Sequence, residues 1–166
     1  MSSNDPYKAG KFSKNPYALK SDVTGQLVVT LDGRMENRGL SLITPPSRCV
    51  CRHQVHELIL TDEPTAMPGR QVDRIGYLGF FSVAAGGVIL RGDEVWLDEQ
   101  YIGAVAGFDE THMPNHLNIV ISTTKLTTGV EIGARPGARL RFSLPQAKEE
   151  QRMTPEAKLN ELQIEL

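Results

Sequence analysis

The chain has 166 residues, with 18 Lys and Arg against 20 Asp and Glu, and a net charge of −2 with histidines neutral. That balance argues against a general nucleic-acid or membrane-surface binder, which carries a clear basic excess. The length suits one domain with a real core, since about 70% of the unfolded surface is buried at roughly 150 residues.

Residues 1–22 read as an arm. Lys8, Lys11, Lys14 and Lys20 stand against Asp5 and Asp22, with Tyr7, Phe12 and Tyr17 between them and no helical or alternating period. Such a segment is either a docked terminus or a contact for an anionic partner or a neighbouring subunit. Its start is polar, without an apolar h-region, and nowhere do 18 apolar residues run together, so neither a signal peptide nor a membrane span is expected. The expected compartment is the cytoplasm.

Residues 23–145 carry the domain. From Thr24 onward the apolar runs are short, β-branched and bounded by Gly, Asp, Asn or Pro, which is the pattern of strands. Gln26-Leu-Val-Val-Thr-Leu31 ends at Asp32-Gly33, a dipeptide suited to a tight hairpin. Further strands are expected at Gly39–Thr44, Arg48–Leu60, Val72–Ala84, Glu94–Leu97, Tyr101–Phe108, Leu117–Thr123 and Ala138–Leu144. Without crossover helices these strands pair antiparallel, and a sheet of this size protects its edges by closing or by folding into two layers. The expected fold is all-β, a small closed antiparallel barrel or barrel-like sandwich of about eight strands. Glycines at 76, 79, 86, 87, 103 and 107 are candidates for its bends and bulges.

Residues 146–166 form the tail. Thr154-Pro155 sets an N-cap and a first-turn proline, and Leu159, Leu162 and Leu166 then share a face, predicting a short C-terminal helix. That helix is expected as a packed tail or barrel cap; the alternative is that arm, tail helix and barrel edge make a homo-oligomer, which would suit a non-enzymatic assembly or regulatory module.

Two clusters carry candidate chemistry. In Cys49-Val-Cys51-Arg-His53-Gln-Val-His56-Glu57, an extended chain puts Cys49, Cys51 and His53 on one face, with neighbours about 6.6 Å and the outer pair about 13 Å apart. That spacing disfavours a four-ligand zinc site. The cysteines are expected to pack as small buried apolar residues, the alternative being a reactive thiol activated by Arg52 or a histidine.

The second cluster, Phe108-Asp109-Glu110-Thr111-His112-Met113-Pro114-Asn115-His116, is a loop between two strands. Its imidazoles and carboxylates suit either acid–base work by His116, His112 and Glu110, or a divalent metal on His112, His116 and Asp109, joined by His53 or His56. Pro114 breaks any helix between the two histidines, so another turn must bring them together. Alternation puts His116 and Asn118 on one face and Leu117, Ile119 and Ile121 on the other. Facing into a barrel mouth, His116 and Asn118, helped by Asp109, would bind a small polar metabolite. Arg139 and Arg141 share a strand face and offer an anion site, or are solvated edge charges. Arg91-Gly92-Asp93 and Arg135-Pro136-Gly137 read as turns, and no GxSxG, HExxH or P-loop pattern is present.

The stretches Gly87-Val-Ile-Leu-Arg-Gly92, Val95-Trp-Leu97, Ile102-Gly-Ala-Val-Ala-Gly107, Asn115-His116-Leu-Asn-Ile-Val-Ile121 and Pro136-Gly137-Ala-Arg-Leu-Arg-Phe142 together resemble the glucitol/sorbitol-specific IIA component of the bacterial sugar phosphotransferase system. About a third of the chain is covered, mostly by glycines and strand periodicity. The resemblance implies a small closed β-barrel. It also implies a phosphoryl-accepting histidine on the strand before the glycine pair, but Ile75–Ser82 contains none. His116 matches that family's Gly-His position, with Asn115 in place of the glycine.

Overall fold

The computed structural model describes residues 4–12 and 15–145. Twelve strands follow one another: β1 (Val23–Thr30), β2 (Arg34–Met35), β3 (Leu40–Ser41), β4 (Ser47–Val50), β5 (Val55–Thr61), β6 (Gln71–Val72), β7 (Ile75–Ala85), β8 (Gly87–Leu90), β9 (Glu94–Leu97), β10 (Gln100–Asp109), β11 (Asn118–Ser122) and β12 (Arg139–Ser143). The fold is all-β, with no helix among the described residues. Pairing runs in the order β1-β12-β9-β10-β11-β5-β7-β2, and β1 also pairs with β7. Hydrogen bonding therefore travels round seven strands and returns to its start, with β2 prolonging the β1 side of β7. Two small ribbons, β3–β6 and β4–β8, lie outside this ring.

One expectation is corrected here. The pairing is not wholly antiparallel, because β11 lies parallel to β5. Residues 62–117, which carry β6 to β10, separate these two strands, so neither a hairpin nor a crossover helix is needed to join them.

Alternation divides the side chains between two cores. Leu27, Leu58, Leu60, Phe81, Phe108, Ile119, Ile121 and Phe142 belong to the main cluster, with the Phe81 and Phe142 ring centroids 5.6 Å apart. These side chains fill the space enclosed by the ring of strands. Ile59, Ala106 and Val120, on the opposite faces of β5, β10 and β11, join Leu40, Leu42, Ala66, Val72 and Ile75 in a second cluster. The excursion carrying β3 and β6 thus covers part of the outer surface. Glycine is required where strands come closest: a Cβ at Gly79 would collide with the Val29 carbonyl oxygen, and one at Gly103 with that of Ser122.

Several expected elements divide. Arg48–Leu60 breaks into β4 and β5 at a turn where His53 takes a left-handed backbone (φ 72°). Asp32-Gly33 makes no hairpin, because the strands beside it both pair with β7 and not with each other. Arg91-Gly92-Asp93 links β8 to β9 without making them a hairpin, and Asp93 is fully buried. There its carboxylate receives Lys20 Nζ at 3.0 Å and the Leu90 N–H at 3.0 Å. Burial raises the Asp93 pKa, while the Leu90 and Lys20 bonds pull it back. Lys20, Tyr17 on Ser47 (2.8 Å) and Tyr7 beside Tyr17 (3.3 Å) fasten the arm to its own domain. The expected tail helix lies outside the described residues.

Candidate functional site

Register aligns four side chains across the outer face of the sheet. Phe80 of β7 stands opposite Glu57 of β5, Glu57 opposite Asn118 of β11, and Asn118 opposite Asp109 of β10. His116 precedes Asn118 by two residues and comes to the same side. Its Nε2 donates to Glu57 Oε2 (3.2 Å), and its Nδ1 lies 2.6 Å from Asn115 Oδ1. Both ring nitrogens thus face acceptor oxygens. Phe80 meets the ring edge-on at 5.1 Å.

The loop then brings in His112. The Asn115 and His116 N–H groups both donate to the His112 carbonyl oxygen (2.9 and 3.3 Å), a tight turn that answers how Pro114 is accommodated. The two imidazoles stack with centroids 4.9 Å apart. Arg38 Nη2 donates to His112 Nε2 (3.2 Å), and Arg38 Nε donates to the Tyr77 hydroxyl (3.1 Å). Because guanidinium can only donate, His112 Nε2 is the acceptor and its hydrogen sits on Nδ1.

His56 supports the site from behind. It is buried, its Nδ1 accepts the Leu117 N–H (3.0 Å), and its Nε2 then donates to Gln54 Oε1 (3.1 Å). Burial holds its pKa below the usual imidazole range, and the positive charges of Arg48 and His116 push the same way. The neutral ring thereby fixes the backbone next to His116. Three of the four histidines converge, while His53 is left exposed in the turn after β4.

The remaining candidates separate. Asp109 is structural: burial pushes its pKa up, but bonds from Thr111 N–H and hydroxyl, Ser41 N–H and Asn118 Nδ2 outweigh this and hold it below the ordinary value. Asn118 faces outward from the ring of strands, not into it, and is fully buried under this network, its Oδ1 lacking a protein partner. Glu110 is exposed and reaches Arg48 Nη1 at 3.4 Å. The metal set of His112, His116 and Asp109 is not assembled: among the described residues no three His, Cys, Asp or Glu side chains form a group able to hold an ion. Cys49 and Cys51 are both free and exposed, correcting the expectation of buried thiols.

Glu57, Phe80 and Arg38 were not singled out from sequence. Glu57 had one signal, its place beside His56 in a histidine-bearing strand.

Two concave surfaces lie elsewhere. A cleft of about 750 Å³ is lined by Leu97, Asp98, Gln100, Ile132 and Arg135, among others. A second, of about 410 Å³, holds Arg139 and Arg141 with Thr24 and Gln26, and both share Asp98 and Glu99. They sit at the Gln100 end of β10, about 30 Å along the strand from Asp109. Arg141 lies 5.5 Å over the Trp96 ring and donates to Ser143 (2.9 Å), while Arg139 Nε stands 4.0 Å from Asp98.

No helix among the described residues is long and apolar enough to cross a membrane. No curated protein and no solved structure matches the chain. Residues 17–143, from the docked half of the arm through the last strand, match the model of a family of unknown function (DUF6917), and the chain belongs to that family.

Proposed function

We propose that this protein binds a small polar metabolite, anionic in character, at the His116 end of a closed β-barrel, and performs acid–base chemistry on it there. The cyclic pairing of seven strands supports reading the sheet as a barrel. One observation carries the functional reading: the His116 ring is held by Glu57 and Asn115 while His112 stacks on it and Arg38 stands behind His112. A carboxylate behind an imidazole fixes the orientation of the ring. Arg38 adds a guanidinium, which favours a carboxylate or phosphate on the ligand.

The proton moves through His116 Nδ1. A ligand group that displaces the exposed Asn115 amide meets that nitrogen directly, while Glu57 steadies the imidazolium from the other side. The likeness to the glucitol/sorbitol IIA component enters the proposal only as architecture; phosphoryl transfer is left out because β7 has no histidine. A cytoplasmic setting belongs to the same proposal. Assembly through the arm does not, since Lys20 is committed to Asp93 of its own chain.

Ligand-observed NMR with a mixture of small carboxylates and sugar phosphates tests the reading. Binding is expected in the wild type and lost in His116→Ala, with the melting temperature retained because the ring is outside both cores. Equal binding by the two proteins would sink the proposal.

A further inference from the structure

We infer that Cys49 and Cys51 form a two-thiolate site for a soft, singly charged metal ion of the copper(I) type, separate from the His116 end. Cys49 lies in β4, and Cys51 directly follows its last residue, Val50. Val50 is buried in the main core, whereas both cysteines are exposed and free. Side chains alternate along an extended chain, so the two thiols stand together on one solvent-facing side. Free cysteine is ordinarily among the most buried residue types, so two exposed on the same face call for a physical account.

Spacing selects the chemistry. Residues two apart on an extended chain place their Cβ atoms about 6.6 Å apart. A disulfide needs Cβ atoms about 3.8 Å apart and sulfurs bonded at about 2.05 Å, which would require the strand end to bend. That segment is held: Cys49 pairs with Val88, the Cys51 N–H donates to Gln54 Oε1 at 2.8 Å, and Gly86 lies so close that a Cβ there would come within 3.3 Å of Cys51 Cα. Two sulfurs turned toward each other instead reach a separation of about 4.6 Å, twice a metal–sulfur bond of roughly 2.3 Å, with the backbone unmoved.

Such a span suits an ion bound in line between two thiolates. Soft thiolates select copper(I), which accepts two ligands, whereas zinc requires four. Among the described residues no third His, Cys, Asp or Glu completes a larger set here. On binding, each thiol releases its proton to solvent as its sulfur bonds to the ion, so no oxidant or reductant is consumed.

The test titrates the reduced full-length protein, under anaerobic conditions, with copper(I) held by a coloured bicinchoninate complex. The expected result is withdrawal of one ion per chain by the wild type and of none by Cys49→Ser or Cys51→Ser. Because both side chains are exposed, the variants are expected to melt with the wild type, which keeps the comparison clean. Equal uptake by the wild type and either serine variant overturns the proposal. So does half an ion per chain, which would place the ion between two copies. Loss of two hydrogens as an internal disulfide on peroxide treatment, with both ladder and turn intact, would overturn the spacing argument itself.

Discussion

The two ends of β10 present different kinds of surface. At the Asp109 end the polar side chains interlock: His116 between Glu57 and Asn115, His112 against Arg38, and Asp109 receiving four donors. At the Gln100 end a cleft of about 750 Å³ opens, yet its charges are loosely held, with the Arg139 side chain 77% exposed and 4.0 Å from Asp98. The contrast teaches that cleft volume and chemical organisation are independent properties. Acid–base work needs groups whose orientation is fixed before the ligand arrives, and a wide cleft between solvated charges does not supply that.

The largest effect expected at the organised end comes from the core beneath it. Phe81 is fully buried against Phe142 and 6.3 Å from the His56 ring. Phe81→Ala is expected to cost about 3–5 kcal/mol in urea denaturation. A loss under about 1 kcal/mol would mean that the enclosed space is not packed, and the contrast between the ends would fail.

Next comes the polar network. Asn118→Leu removes one of the donors to Asp109 and should cost about 1–3 kcal/mol by the same measurement. A neutral result would remove the network from what holds the site.

Acid separates the ends further. His56 has a folded pKa below its ordinary 6.5, so the unfolded chain binds more protons between the two values. Stability therefore rises with pH through that window and falls as pH drops below 6.5. Asp109 acts lower down: its contribution is complete above 3.8 and is lost as pH falls through its depressed folded value. Protonating His56 Nδ1 removes the acceptor for the Leu117 N–H. Amide exchange corrected for intrinsic rates should show Leu117 losing protection only as the pH falls below the ordinary imidazole value of 6.5, while Asp98, whose N–H donates to the Arg139 carbonyl, keeps its own. Equal losses would break the comparison.

The smallest effect belongs to the open end. Arg139→Ala should change stability by less than about 0.5 kcal/mol, since its ion pair is long and exposed. A larger loss by thermal melting would show that this end is organised after all.

Sequence made the strands legible where one face is wet. β12 alternates exposed and buried residues, and its boundaries were read to within about a residue. β5 hid its site residue because every position from His56 to Thr61 is buried, one face by the ring interior and the other by the β3–β6 excursion. With both faces covered, no period marks Glu57 as different from its neighbours. The parallel β11–β5 pair was equally unreadable, since it joins residues about sixty apart with no local signal. His116 and His112 were legible as chemistry because a loop has no packing reason to hold two imidazoles. The face His116 would take was not, because alternation fixes which residues share a side but not which side is inside.

The pairing of β1 with β12 also governs how the molecule responds to force. Val23, the first residue of β1, stands opposite Phe142, near the end of β12, so the chain enters and leaves the sheet at one point. Tension applied between the two ends would act across the ladder and open it rung by rung from Val23 and Phe142, unzipping rather than shearing. The Tyr17–Ser47 and Lys20–Asp93 contacts of the arm lie before that first rung and would be loaded ahead of it.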